Sequence, residues 1–291
     1  MKVQDRLGQK KKLIDKELTR LLSQEDSLLF QAMRHAVLSG GKRFRPLLTI
    51  SSGECFGLGE DVLLPFACSL ELIHNYSLIH DDLPLMDNDD FRRGKPSCHK
   101  AFGEDIALLA GDSLLTLAFE ILAQAPVDEK LVPRKGQVIE EISHFAGARG
   151  MVGGQLMDIT LSSEKISEEE LQELVLKKTG ALIIASVRTG AILGEASTVQ
   201  LEAVVEYGRN IGIAFQIRDD ILDLTNEKKN EPIPRPSHVS LYGLAEAKKR
   251  LKRFVEEGIR AFDNTSLESE ELRYLALRLL DINRKENEQN S

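Results

Sequence analysis

The sequence has little of what marks several classes of protein. It contains only three cysteines, Cys55, Cys68 and Cys98, which are widely spaced and include no Cys-x-x-Cys pair. This pattern argues against a disulfide framework or a zinc site and favours free thiols in a reducing cytosol. No uninterrupted apolar run reaches the roughly 18 residues of a membrane-spanning helix, and the N-terminus lacks the apolar stretch of a secretory signal. We therefore expect a cytoplasmic protein with no membrane span.

Basic residues are in deficit as well. The chain has 38 Lys and Arg against 46 Asp and Glu, which gives a net charge of −8. An acidic chain lacks the positive surface that wraps nucleic acid, so we expect no nucleic-acid partner. Its 291 residues are 42% hydrophobic and 29% charged, which is typical of a globular protein with a large core.

Proline is missing between positions 133 and 232, and apolar residues recur there at spacings of three and four. This periodicity predicts long helices, and Ser167 followed by Glu170 forms a capping box that opens one of them. Alternating strand patterns and Asn-Gly hairpin signals are also lacking. With no Gly/Ser-rich linker, residues 1–291 are predicted to form a single all-α domain of about ten helices. Three prolines within residues 226–242 predict a surface loop there.

Two predicted helices carry an apolar stripe that becomes acidic near its C-terminal end. The stripe positions are Leu63, Ala67, Leu70, His74, Ser77 and Asp81 in the first helix and Leu201, Val205, Gly208, Gly212, Phe215, Asp219 and Asp223 in the second. Asp82 and Asp220 lie beside them, and a kink at Pro84 is expected to bring Asp87 toward Asp81. Carboxylates on a core-facing stripe are costly unless they are paired or bind a metal. One Asp-Asp pair would most often simply face water, but two such pairs indicate a metal site.

Basic clusters accompany the acidic ones. They are Lys42, Arg43 and Arg45 in a loop that begins with glycine, Arg92-Arg93 after the first acidic cluster, and Lys177-Lys178-Thr179-Gly180 at a predicted helix break. Clustered carboxylates suit Mg²⁺, which usually also binds phosphate, and Arg and Lys are the common phosphate ligands. Taken alone, the Arg pair fits a solvated turn equally well, and the Lys pair fits a helix C-cap better. Together the clusters predict a metal–diphosphate site.

These motifs resemble those of the trans-type isoprenyl diphosphate synthases, closest to the bacterial farnesyl and plastid-type geranylgeranyl enzymes. The matching segments are GGKRFRPLL (40–48), IHNYSLIHDDLPLMDNDDFRRGKP (73–96), FGEDIALLAGDSLL (102–115), GMVGGQLMDI (150–159), KTGALI (178–183) and FQIRDDILD (215–223). The resemblance implies the all-α isoprenoid synthase bundle around a central cavity, usually as a homodimer. It also implies a Mg²⁺-dependent prenyltransferase acting on isopentenyl diphosphate and an allylic diphosphate.

The resemblance also implies roles for individual residues. The Mg²⁺ ligands would be Asp81, Asp82, Asp87, Asp219, Asp220 and Asp223; the contacts of isopentenyl diphosphate would be Lys42, Arg45, His74 and Arg93; and those of the allylic diphosphate would be Arg92, Lys178, Thr179 and Gln216. Asp81, Asp82, Asp87, Arg92, Lys178 and Asp219 are the expected catalytic residues. The segment after Asp223 is shorter than the family's lid and lacks its Tyr-Pro, and Arg235 is the candidate replacement for the lid lysine.

The product length is predicted from Tyr76. This residue lies five positions before Asp81, which is about 7.5 Å of helical rise. In the family, an aromatic residue there acts as a floor that stops chain growth near fifteen carbons. We therefore expect farnesyl diphosphate, with the twenty-carbon geranylgeranyl diphosphate as the alternative.

Three further alternatives concern the function. One is a weakly active or non-catalytic partner subunit of a synthase: the altered segment after Asp223 fits weak activity, but a non-catalytic subunit would usually have lost an acidic motif, and both are present here. A terpene cyclase would usually replace the second acidic motif with an Asn/Asp-Ser/Thr-Glu type. A metal phosphohydrolase built on His80-Asp81 would need further metal-binding histidines in a matching arrangement, which the sequence lacks.

Overall fold

A computed structural model describes residues 1–161, 166–226 and 236–282, without the side chains of residues 225 and 226. Within these ranges the chain is helical apart from one short hairpin, which confirms the predicted all-α class. The chain divides into two compact units, one of residues 1–50 and 58–135 and the other of residues 51–57 and 136–291. The prediction of a single domain over residues 1–291 stays a prediction.

The first unit is built around one apolar helix. Its elements are α1 (Val3–Leu22), α2 (Leu28–Val37), the start of α3 (Phe44–Glu54), α4 (Glu60–Asp81), β1 (Phe91–Arg92), β2 (Lys95–Pro96), α5 (Cys98–Phe102) and α6 (Glu104–Gln124). Helix α4 packs against α1, α2 and α6, and every residue from Phe66 to Ile73 is buried. Burial of each large aliphatic side chain contributes about 1.5–3 kcal/mol, so this packing holds the C-terminal end of α4 in place.

The hairpin after α4 turns through Arg93 and Gly94, both of which have positive φ angles, of 54° and 75°. Positive φ at both central residues is what a two-residue turn of type I′ requires. The sequence analysis expected no hairpin because Arg93 occupies a position where Asn or Gly is usual. The turn places Arg92 on β1 and Arg93 at the tip.

The second unit contains the remaining helices. They are α7 (Val132–Ala146, which starts in the first unit), α8 (Met151–Thr160), α9 (Glu168–Val175), α10 (Ala181–Leu193), α11 (Thr198–Asn226), α12 (His238–Tyr242), α13 (Leu244–Arg260) and α14 (Glu270–Leu277). Helix α11 packs against α10 and α13. Its Tyr207 is fully buried, stacks on Phe262 and donates a hydrogen bond to the carbonyl of Leu272 (2.7 Å).

Three expectations about local structure differ from what is observed. The predicted helix break at residues 177–180 is one π-helical turn, Leu176–Gly180, which joins α9 to α10. The predicted loop at 226–242 contains helix α12, whose Ser237 and Ser240 form a capping box; residues 227–235 lie outside the described part. The described ranges hold fourteen α-helices rather than about ten, because several are only five to ten residues long. The capping box at Ser167 and Glu170 is confirmed.

Helices α4 and α6 are long and apolar enough to cross a membrane by length and composition alone. The core helix of a soluble protein passes the same test, so this observation is weak. The apolar 18-residue stretch of α4 is 67% buried within the chain, whereas that of α6 is only 39% buried. The absence of a membrane span therefore stays a prediction.

Candidate functional site

The first acidic cluster lies where α4 ends. A tight turn follows Asp81, in which the backbone amide of Asp87 donates to the carbonyl of Asp81 (2.8 Å) and that of Asn88 donates to Leu83 (3.1 Å). The expected approach of Asp87 to Asp81 is thus present in the backbone. It arises from this turn and not from a kink within the helix, which ends at Asp81.

Asp82 has a different environment from its neighbour. Its side chain is only 3% exposed and forms an ion pair with Arg92, whose Nε lies 3.1 and 3.3 Å from the two carboxylate oxygens. Arg92 Nη2 also donates to Asp89 Oδ2 (3.0 Å). Burial raises the pKa of Asp82, and the hydrogen bond from Arg92 opposes that shift. Asp82 and Arg92 therefore bind each other in this structure. Metal binding by Asp82 and diphosphate binding by Arg92, the two predicted roles, would each compete with this ion pair.

A cluster of positive charge surrounds His74 on α4. Burial lowers the pKa of His74 well below its usual 6.5, and the neighbouring guanidinium groups of Arg45 and Arg93 lower it further. Arg45 is buried in the first turn of α3 rather than in the expected loop, whereas Lys42 lies exposed in the loop before this helix. The structure thus brings three of the four predicted isopentenyl diphosphate contacts together around a neutral imidazole. An anion bound here would relieve the repulsion between these neighbouring guanidinium groups, so the cluster suits a diphosphate on electrostatic grounds.

Arg43, for which no separate role was predicted, holds the loop that carries Lys42 and leads into α3, where Arg45 lies. Arg43 is buried with a φ of +50° and donates to Asp15 Oδ1 (2.7 Å) and Glu71 Oε1 (2.7 Å). A non-glycine residue in this conformation persists only when its surroundings fix it. These two ion pairs provide that fixation, so Arg43 orients the residues on either side of it.

The same network continues to Arg93. Asn75 Nδ2 donates to the carbonyl of Glu71 (2.8 Å), and Arg93 Nη1 donates to Asn75 Oδ1 (3.3 Å) and to the carbonyl of Gly40 (2.7 Å). Gly41 has a φ of +134°, and a Cβ there would lie 3.2 Å from Cζ of Arg93. Sequence reasoning missed Glu71 and Asn75. The sequence does hold a signal for them, because Glu71 is a charged residue one helical turn before the amide residue Asn75 on a largely apolar helix.

In the second unit, the predicted allylic contacts meet at the π-helical turn. Lys178 forms an ion pair with Asp158 of α8. Thr179 Oγ1 donates to Gln216 Oε1 (2.7 Å), and Gln216 Nε2 donates to Asp220 Oδ1 (2.9 Å). The structure therefore joins Thr179, Gln216 and Asp220 in one hydrogen-bonded chain. Asp158 was missed, although it lies in the segment GMVGGQLMDI.

Close backbone packing at glycines makes this arrangement possible. A Cβ on Gly154 of α8 would lie 2.2 Å from the backbone nitrogen of Lys178, and a Cβ on Gly212 of α11 would lie 2.7 Å from Cα of Gly180. Both helices therefore touch the π-helical turn directly.

The three aspartates of the second acidic motif are not equivalent. The side chain of Asp219 is 38% exposed and Asp223 is also exposed, and the two residues are one helical turn apart on α11. The side chain of Asp220 is only 7% exposed, and it accepts a hydrogen bond from the backbone amide of His238 (2.9 Å) in addition to that from Gln216. Asp220 thus attaches α12 to α11. Arg235 lies outside the described residues.

The carboxylates of the two acidic motifs are the candidate ligands of Mg²⁺. Within the described ranges, no three His, Cys, Asp or Glu side chains are grouped closely enough to hold a metal ion by themselves. Mg²⁺ is usually held by one or two carboxylates, with substrate phosphates and waters completing its shell. Asp81 with Asp87, and Asp219 with Asp223, each fit that pattern.

The predicted floor residue, Tyr76, is 6% exposed on the same helix as Asp81. Its ring meets that of His80 edge to face, with the ring centroids 5.7 Å apart. Burial, with a smaller contribution from the charge of Asp81, raises the pKa of Tyr76 to about 12. The phenol therefore stays neutral at physiological pH.

Comparisons with known proteins agree with these features. The family model described as polyprenyl synthetase matches residues 26–233. The chain is 39% identical to a farnesyl diphosphate synthase of Geobacillus stearothermophilus, over 94% of this chain and 96% of that enzyme. It is 40% identical to a geranylgeranyl diphosphate synthase of Cyanophora paradoxa, over 90% and 91% of the two chains.

A crystal structure of a farnesyl/geranylfarnesyl diphosphate (FPP/GFPP) synthase from Zymomonas mobilis superposes with a TM-score of 0.85 at 34% identity, covering 96% of this chain and 98% of that one. A structure of a geranyltransferase from Legionella pneumophila gives a TM-score of 0.84 at 33% identity, covering 96% of each chain. This likeness confirms the predicted fold.

Proposed function

Because the chain belongs to the polyprenyl synthetase family, we propose that it is a prenyltransferase that makes farnesyl diphosphate from isopentenyl diphosphate and the allylic diphosphates dimethylallyl and geranyl diphosphate. Pyrophosphate is released at each condensation. The farnesyl product is supported by relatives named farnesyl diphosphate synthase and dimethylallyltranstransferase. The buried aromatic side chain of Tyr76 supports the same product. Relatives that are geranylgeranyl diphosphate synthases keep the twenty-carbon product as the alternative.

We assign the metal role to Mg²⁺, which when bound would supply positive charge to the leaving diphosphate. Asp81, Asp87, Asp219 and Asp223 are the proposed ligands. For Asp82 and Asp220 metal binding stays a prediction, because their carboxylates contact Arg92 and the amide of His238 in this structure.

The reaction begins when the C–O bond of the allylic diphosphate breaks. Arg92 and Lys178 are proposed to donate hydrogen bonds to the departing oxygens, where negative charge develops. Thr179 and Gln216 would orient that diphosphate. Arg235 is kept as a further contact by resemblance alone.

In the second step, the double bond of isopentenyl diphosphate attacks the allylic cation and forms a new carbon–carbon bond. Lys42, Arg45, His74 and Arg93 would hold the diphosphate of this substrate. A proton then leaves the new cation, and the released pyrophosphate can accept it, so no dedicated protein base is required. The polar residues therefore bind and orient the two substrates, and Tyr76 limits the length of the product.

The observation that carries the proposal is the cluster of buried Arg45, half-buried Arg93 and neutral His74, of which His74 lies on the helix that also bears Asp81. The test is to incubate purified protein with isopentenyl and dimethylallyl diphosphates and Mg²⁺ and to size the dephosphorylated prenyl alcohols. Farnesol is expected, and geranylgeraniol as the main product would select the alternative. If the protein is folded but this reaction yields no elongated product, the result would instead support a non-catalytic partner subunit.

We also propose that the protein is a homodimer. Helix α6 supports this, because its apolar 18-residue stretch is only 39% buried within the chain and Leu109 on it is 52% exposed. A second copy of the chain could cover this apolar surface. Sedimentation should report a dimer, and Leu109→Lys should weaken it. Leu277→Lys, at another exposed leucine (44%), serves as the matched control and should leave the dimer intact. A monomer at all concentrations would contradict the proposal.

A cytoplasmic location is the remaining part of the proposal. It is supported by Cys55, Cys68 and Cys98, all of which are free thiols. Burial raises the pKa of the Cys68 thiol, which keeps this sulfur protonated and unreactive. Because no disulfide is formed by these cysteines, the fold does not depend on an oxidising compartment. Fractionation of cells that express the protein would test this location.

A further inference from the structure

Gly111 on α6 lies directly against the imidazole ring of His80 on α4. A Cβ placed on Gly111 would lie 2.1 Å from Nε2 of His80 and 2.5 Å from its Cδ2. The imidazole therefore occupies the space that any side chain at position 111 would need. We call this space the Gly111 notch. It lies in the segment 102–115, to which no role has yet been assigned.

The imidazole is fixed within the notch. Nε2 of His80 lies 3.1 Å from the carbonyl oxygen of Leu108, and Asp112 Oδ1 is 3.8 Å away. A carbonyl can only accept a hydrogen bond, so Nε2 must carry the proton that is donated. The hydrogen bond and the steric fit together hold the ring in one orientation.

This fixed ring also contacts the proposed floor residue, Tyr76. Tyr76 lies one helical turn before His80, and the two rings form an edge-to-face pair at 5.7 Å and 79°. Such a pair favours one orientation of each ring. A phenol ring held on one side by a fixed neighbour has fewer rotamers available than one that packs only against aliphatic side chains.

From this geometry we propose that His80, held in the Gly111 notch, is a positioning residue that keeps the Tyr76 ring in place and so sets the product length. The inference rests on the proposed function, in which Tyr76 limits the prenyl chain. It gives His80 no part in bond breaking or bond making. It also makes Gly111, a residue on a different helix, a determinant of specificity.

The direct test is Gly111→Ala. The new methyl group would displace the imidazole, which can swing away because it is the end of a side chain with two free torsions. The Leu108 hydrogen bond and the contact with Tyr76 would then be lost, and the fraction of products longer than fifteen carbons should rise severalfold. Gly8→Ala on α1 is the matched control, since nothing lies within 4 Å of a Cβ there, and its product distribution should equal that of the parent.

Two further variants separate the inference from the function on which it rests. His80→Ala should lengthen the products as Gly111→Ala does, and adding Gly111→Ala to His80→Ala should cause no further change, because the displaced ring is already gone. Tyr76→Ala tests the floor itself. If Tyr76→Ala lengthens the products while His80→Ala and Gly111→Ala leave them at fifteen carbons, the His80 inference is overturned and the proposed function stands.

If Tyr76→Ala also leaves the length unchanged, the floor assignment fails, and the inference fails with it. Thermal unfolding of each variant shows whether it is folded. Should Gly111→Ala not fold, His80→Ala decides the question alone, because it only removes atoms. A loss of turnover with an unchanged product ratio would mean that the notch is merely structural, and this too overturns the proposal.

Discussion

Adjacent residues of one acidic motif have different environments, and these environments suggest different roles. Asp81 ends α4 and shares a tight turn with Asp87, whereas the side chain of Asp82 is 3% exposed and contacts Arg92. The second motif repeats this division, with Asp219 exposed and Asp220 bound to the amide of His238. In each pair the second carboxylate holds a neighbouring segment, and the first is the one that we propose as a metal ligand.

The division predicts different outcomes for two equivalent substitutions. Asp81→Asn should raise the Mg²⁺ concentration that gives half-maximal activity. Asp82→Asn should instead lower the free energy of unfolding, by no more than about 1 kcal/mol, because Arg92 loses one of its two charged partners and keeps Asp89. Mg²⁺ titrations of activity and urea unfolding distinguish the two. Equal effects of both variants on the Mg²⁺ requirement would show that Asp82 is itself a ligand.

His74 predicts a pH dependence of stability. Its pKa in the folded protein lies well below 6.5, because it is buried and surrounded by arginines. The unfolded chain therefore takes up a proton at a higher pH than the folded chain does. The free energy of unfolding should fall as the pH drops below about 6.5, by at most about 1.4 kcal/mol per pH unit from this one group. His74→Gln, which cannot be protonated, should reduce this slope in urea titrations, and an unchanged slope would assign it to other groups.

At the scale of elements, periodicity predicted the helices with long apolar stripes and the capping box before α9. It did not predict the hairpin at Arg93, because an arginine with positive φ has no sequence signature. The π-helical turn at 176–180 was also missed, since an extra residue within a turn leaves the flanking apolar pattern intact. The acidic site residues were predicted from their spacing on a helix face, and the roles of the basic residues were predicted from the family resemblance. Glu71 and Asn75 were not, since their role depends on contacts with Arg43 and Arg93.

The packing of α8 on the π-helical turn leads to a test at this scale. Gly154→Ala places a methyl group 2.2 Å from the backbone nitrogen of Lys178, which cannot move aside as a side chain could. We expect a loss of about 1–3 kcal/mol in the free energy of unfolding and a higher KM for the allylic substrate, because Lys178 shifts with its backbone. Gly136→Ala on α7, where a Cβ has nothing within 4 Å, should instead stabilise the chain by up to about 1 kcal/mol.

At the scale of the whole molecule, a protein of net charge −8 is expected to bind two strongly anionic substrates. It can do so because positive charge is concentrated locally, around His74 in the first unit and at Lys178 in the second. The carboxylates beside these cations then become repulsive toward a diphosphate unless a divalent ion lies between them. Binding of diphosphate should therefore depend strongly on metal.

This dependence can be measured without turnover. Inorganic pyrophosphate with Mg²⁺ should raise the unfolding temperature, equivalent to about 2.7 kcal/mol when the ligand is at a hundredfold excess over its Kd. With a chelator present, the same pyrophosphate concentration should give a much smaller shift. Sulfate at equal ionic strength is the control for nonspecific anion effects. Equal shifts with and without metal would show that the arginine and lysine side chains bind diphosphate unaided.

The π-helical turn determines how the chain would respond to a single-residue deletion at this point. One residue corresponds to about 100° of rotation along a helix, so the extra residue decides which way Lys178 and Thr179 point relative to Asp158 and Gln216. Deleting Leu176, at the start of this turn, would give a smoother helix that is better satisfied in its backbone hydrogen bonds. The same deletion would turn both side chains away from their partners. The π-helical turn is thus what aligns these groups, and shortening the chain here would make the helix more regular but misalign the proposed diphosphate contacts.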